Sequence, residues 1–249
     1  MSTTLLSLII TTLRSPGMVV DDATSDAQTA WLVPRLLLIT AVGGAVFGAV
    51  VGAHHGGIQV LYAAIKMPIL FLVPLAVGLP AIRALFATDD SAPPWRRVAM
   101  AGLVGAARTG ILAAAASPFL WLAWSLFRDY HMAILVLAAS LLVIGGQGLL
   151  TLRHALPKFR WVHVAPLAVA FVLMGLTTAQ TGWVLRPFIA RPSAQITFLR
   201  PIEADIGDAL LRATRSATGD YGREGEEWAP SSSGLMTRGL RGRDFDGGE

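Results

Sequence analysis

Five stretches of the chain, roughly 35–54, 68–86, 109–127, 132–150 and 163–182, are almost wholly apolar and contain no Asp or Glu. About 20 apolar residues in helical form cross the roughly 30 Å hydrocarbon core of a bilayer. In that core every backbone N–H and C=O must be satisfied within the protein, and uniform apolar runs of this length meet the demand as helices. The expected fold class is therefore all-α, a polytopic transmembrane helix bundle of about five spans. The whole chain is only 14% charged, against about 25% in soluble domains. Lipid is the expected solvent.

The first run carries the clearest packing signal. Gly44, Gly48, Gly52 and Gly56 recur every fourth residue, beside a second row formed by Ala41, Ala45, Ala49 and Ala53. Residues four apart stack on one helical face, so the pattern predicts a groove free of bulky side chains. In water each interior Gly would cost about 1 kcal/mol against Ala. In lipid, small residues let a neighbouring helix approach closely. The four glycines are thus the expected helix-packing residues.

The remaining chain is expected to divide as follows. Residues 1–30 form an amino-terminal interfacial helix, ended by Ser15-Pro16-Gly17, and a polar linker over 18–30. Residues 31–188 form the five-span domain, with Trp31 and Arg35 marking its entry. Pro68, Pro74 and Pro80 predict a second span that is bent or interrupted, with Pro68 suited to its first turn. Val98–Ala107 precedes Arg108 and reads as an interfacial helix, because a buried Arg at the bilayer centre costs at least about 2.5 kcal/mol; one long tilted helix is the alternative. Residues 189–216 form a surface segment with an amphipathic helix over 203–216, and 217–249, rich in Gly, Ser, Asp, Glu and Arg, form a disordered tail.

Charge sets the orientation. Eight Lys and Arg flank the spans on the amino-terminal side and five on the other, which favours a cytoplasmic amino terminus. The formal net charge of +4 is small and the Arg residues flank apolar runs rather than forming a basic face, so nucleic acid is not an expected partner. The expected partners are the lipid bilayer and either a second copy or another membrane protein. With no Cys, disulfides and thiolate metal sites are excluded.

Three segments together carry a family likeness: Gly56-Gly57-Ile58-Gln59 followed by Lys66-Met67-Pro68-Ile69-Leu70-Phe71-Leu72; Gly78-Leu79-Pro80; and Gln180-Thr181-Gly182-Trp183-Val184-Leu185-Arg186-Pro187-Phe188-Ile189. They resemble a family of uncharacterised bacterial multi-span inner-membrane proteins, distantly similar to the five-span Yip-type proteins of eukaryotic membrane traffic. Phe198-Leu199-Arg200-Pro201 resembles that family's segment after the last span. The chain departs from the pattern at Ala190-Arg191-Pro192, where a Gly-containing turn is usual, and in its polar tail. The resemblance implies a five-span fold in the inner membrane and no reaction.

The span order gathers a candidate polar cluster at the face opposite the amino terminus: His54, His55, Gln59, Lys66, Gln180, Thr181 and Arg186. Polar groups at membrane depth are costly and suggest function; the plainer reading is that they fix helix ends. A metal at His54-His55 is not expected, because adjacent helical residues diverge and a divalent ion wants three or four ligands. No nucleophile elbow, zinc-protease helix or phosphate loop occurs. Ser117 and Ser140 have no evident base in sequence. No catalytic residue and no cofactor is expected. Two readings remain, a non-enzymatic scaffold or interaction protein and a small-solute transporter or channel component.

Overall fold

The computed structural model describes residues 4–23, 25–87, 93–126, 130–155 and 164–185, together with Phe188 and Phe198. Among these residues the structure is all-helical, with α1 (Leu5–Arg14), α2 (Pro16–Asp22), α3 (Asp26–Ala53), α4 (Gln59–Phe86), α5 (Trp95–Leu126), α6 (Tyr130–Leu149) and α7 (Val164–Val184). A short 3-10 segment, Leu150–Ala155, continues α6. Five of the helices are long and apolar enough to cross a membrane, so the chain is a multi-pass membrane protein. The surface segment 203–216 and the tail 217–249 lie outside the described residues.

The spans alternate in direction. Arg96, at the start of α5, pairs with Asp26 at the start of α3 (3.0 Å), and Arg97 donates to the carbonyl of His154 (3.1 Å). We term this the near end. At the far end the indole of Trp124 donates to the carbonyl of Val50 (2.9 Å), and Gln59 reaches the carbonyl of Phe188 (2.9 Å).

α3 is the centre of the bundle and makes its most extensive contacts with α4 and α5. The glycines explain why. A methyl group at Gly48 would sit on the carbonyl oxygen of Ala63, and one at Gly52 on that of Gln59. At Gly44 it would lie 3.1 Å from the backbone nitrogen of Pro68. Three members of the predicted row therefore seat α4. Gly56 does not belong with them. α3 ends at Ala53, and Gly56 adopts φ 81° in the following turn, with open space beside it. Its role is conformational, since a left-handed backbone is open to Gly at little steric cost.

A second close approach escaped the four-residue rows. Gly43 meets the backbone of Gly110 on α5, and Gly105 on α5 meets Gly148 on α6, with a Cβ at Gly105 placed 2.7 Å from the Gly148 carbonyl oxygen. α6 packs on α5 and α7 on α4, with no comparably extensive interface between α6 and α7. Between those two lies an apolar groove of about 90 Å³, with Phe71, Gly105 and Thr109 among its lining and Met174 at its α7 side.

Several local expectations are corrected. Residues 18–30 are not a linker. Pro16 opens α2 at a first-turn position, where its missing N–H is harmless. Ser25 then caps α3 in a reciprocal box with Gln28, Gln28 N–H to Ser25 Oγ at 3.2 Å and Ser25 N–H to Gln28 Oε1 at 3.3 Å. Val98–Ala107 is not a separate interfacial helix, because α5 runs unbroken through Arg108. Nor is the second span interrupted. α4 is continuous from Gln59, so Pro68 lies inside it with Pro74 and Pro80 rather than at its start.

The amino-terminal helices join the bundle. Leu8 of α1 and Val19 and Val20 of α2 are buried in one cluster with Val98, Ala101 and Leu152. Leu5, Leu6 and Ile10 on the other face of α1 are exposed. A helix too short to span and apolar on its open face suits the lipid interface.

If backbone contact at the α3 glycines sets the packing, Gly48→Ala costs about 3 kcal/mol by overpacking, whereas Gly145→Ala, which meets nothing within 4 Å, shifts stability by less than about 1 kcal/mol. Reversible unfolding of the two variants in mixed micelles checks the contrast.

Candidate functional site

The candidate polar residues divide into two groups according to how their helices are turned. Gln59 and Lys66 occupy the first turns of α4, and both are fully buried, at 0% exposure. The glycine face of α3 draws the start of α4 inward, since Gly52 abuts the backbone of Gln59 and Val60. Gln59 Nε2 donates to the carbonyl of Phe188, just past α7. Lys66 Nζ lies 5.0 Å from the ring centre of Phe198 and 5.9 Å from that of Phe188. Tyr62, one turn earlier, meets Phe198 edge to face at 5.2 Å. Phe188 and Phe198 thus lie over the buried polar face of α4. A cation against aromatic faces is stabilised without water, most strongly where it is desolvated.

His54 belongs to an adjoining contact. Its ring packs edge-on to Trp124 at 5.1 Å, and Trp124 ties α5 to the carbonyl of Val50. Burial, with His55 beside it, holds His54 below its ordinary value of 6.5. The Nδ1 of His55 is buried without a hydrogen-bond partner among the described residues.

The α7 residues do not join this group. Gln180 is exposed. Thr181 donates to the carbonyl of Thr177 in its own helix (2.7 Å), as Thr177 does to Leu173 (2.8 Å). Arg186 lies outside the described residues. The predicted seven-residue cluster is therefore a buried Gln59/Lys66 pair under aromatic cover, flanked by the histidine turn, with Gln180 on another face. Sequence reasoning missed the cover itself. The signal was present in the aromatic residues 188 and 198, which follow the last span at a distance that permits a return.

Two serine hydroxyls in the spans are satisfied in the same way. Ser117 donates to Ala113 (3.0 Å) and Ser140 to Val136 (2.7 Å), and among the described residues no hydrogen bond joins either to the base a nucleophile needs. Among the described residues no group of three or more His, Asp or Glu could hold a metal ion. No known family model, curated protein or solved structure matches the chain.

Gln59→Leu should cost about 1.5 kcal/mol by orphaning the Phe188 carbonyl, while Gln180→Leu, on an exposed face, should change stability by less than about 0.5 kcal/mol; denaturation of both in the same detergent compares them. His54 supplies a pH test. With its folded value depressed, the unfolded chain takes up the proton first as pH falls through 6.5, so stability declines on acidification. His54→Gln should flatten that slope, measured as midpoint against pH.

Proposed function

We propose that the protein is a non-enzymatic scaffold or interaction protein of the bacterial inner membrane, with its amino terminus in the cytoplasm. The carrying observation is the state of Lys66. A transport residue must meet solvent or substrate, and Lys66 is sealed at 0% exposure beneath Phe188 and Phe198. Gln59 Nε2 and the Trp124 indole N–H likewise donate to backbone carbonyls, of Phe188 and Val50. These groups join helix ends rather than line a route.

The lateral faces support the same reading. The α3 glycines are consumed inside the bundle, whereas Gly145, Gly146 and Gly175 on α6 and α7 have open space where a Cβ would stand. Small residues left open at membrane depth allow another helix to approach. The excess of Lys and Arg flanking the near end supports the cytoplasmic assignment of the amino terminus. The family likeness carried by the Lys66-Met67-Pro68 and Gln180–Ile189 segments supports the bacterial inner membrane.

Reconstituted vesicles separate scaffold from conduit. The scaffold reading predicts solute leakage equal to that of protein-free vesicles for the native chain, with Lys66→Met and Gln180→Leu leaving its assembly state in detergent unchanged. Protein-dependent flux abolished by Lys66→Met in a folded protein would establish the conduit instead.

A further inference from the structure

We propose that the near end of the bundle binds the phosphate of an anionic phospholipid through Arg108 and Arg153. The inference needs the chain to lie in a bilayer and is independent of the scaffold reading.

The first observation is an imbalance of charge. Arg153 adjoins His154, whose carbonyl accepts from Arg97, and Arg108 adjoins Thr109, where α5 abuts Gly148 of α6; among the described residues Asp21 is the acid that shares this corner with them. Asp21 is already engaged, its carboxylate 2.6 Å from Arg97 Nη2. Arg97 also donates to the carbonyl of His154. Arg108 and Arg153 have no ion pair among the described residues, and Asp21 is not left to serve them.

The second observation concerns Arg108 itself. Its Nε is buried with no hydrogen-bond partner among the described residues. A guanidinium half withdrawn from water with an unanswered donor is costly unless an acceptor arrives from outside the chain. Arg153 is exposed on the 3-10 segment, so the charge is open to a ligand from the membrane surface. The start of α2 closes one side, where a Cβ at Gly17 would stand 2.8 Å from His154 Nδ1.

Depth selects the ligand. α5 has 32 residues, or about 48 Å at 1.5 Å each, well beyond the roughly 30 Å hydrocarbon core. Counting about 20 residues back from Leu126 brings the edge of the hydrocarbon beside Arg108. An Arg side chain extended outward from that edge reaches the lipid phosphates, which lie a few Å beyond it. Guanidinium matches a phosphate with paired N–H donors, and basic recesses between helices at this level suit anionic head groups.

The test uses the full chain, stripped of lipid in a non-ionic detergent and titrated by native mass spectrometry. Phosphatidylglycerol and phosphatidylcholine with identical acyl chains are the probes. The native chain should prefer phosphatidylglycerol by about thirty-fold, as two interfacial cations imply. Arg108→Gln with Arg153→Gln should abolish the preference, while Arg83→Gln, at an exposed near-end position outside the group, should leave it intact. Should the double variant fail to fold, Arg153→Gln alone, at an exposed side chain, should still weaken the preference several-fold. Equal binding of the two lipids, an equal loss in Arg83→Gln, or an unchanged preference in Arg153→Gln would overturn the proposal. So would loss of the preference in millimolar inorganic phosphate, which would assign the site to free phosphate.

Discussion

Backbone-to-backbone contact at glycine is the interaction on which the bundle rests. In lipid, apolar side chains gain little by leaving the solvent, because the solvent is as apolar as they are. Helices must then hold together by dispersion over close contact and by hydrogen bonds. Gly48 and Gly52 bring α3 onto α4, and Gly43 meets Gly110 on α5. Phe47 and Val51, fully buried on the same helix, fill the space beside those contacts. α3 is therefore a slim rod between two partners, and the other spans attach to those partners rather than to it.

The far end follows from this centre. Drawing α4 against α3 carries Gln59 and Lys66 inside, and buried polar groups then require partners. The bundle supplies them from a distant part of the chain, at Phe188 and Phe198. Several hydroxyls in the spans solve the same problem locally, by donating to the carbonyl one turn back, as Thr40 does to Leu36 and Thr109 to Gly105. The near end is organised by charge instead. Arg96 joins α5 to the start of α3 through Asp26 and Thr29, and Arg97 reaches Asp21 and His154.

Much of this was legible in the residues because lipid imposes so strict a length rule. The five apolar runs and the inward face of Gly44, Gly48 and Gly52 could be read directly. What could not be read was the rotation of one helix against another. Gln180 looked like a neighbour of Lys66 because both belong to the same end of the span order, yet α7 turns it outward. Gly43 stands outside any four-residue row, with Ile39 and Phe47 four residues away, so only the packed structure pairs it with Gly110. Arg108 seemed to demand a break in the helix. The length of α5 removes the need, since a helix longer than the hydrocarbon is thick can carry an Arg at its edge. Pro16 and the Ser25/Gln28 box were signals of helix starts set in a stretch whose polarity suggested a linker.

The most direct measurement is solid-state NMR of the isotopically labelled chain in lipid bilayers, observing contacts between glycine α-carbons and backbone carbonyls on other helices. The account predicts resolved cross-peaks from Gly43 to the carbonyl of Gly110 and from Gly48 to that of Ala63. A helical protein in which both cross-peaks are missing, while contacts within each helix remain strong, would contradict it.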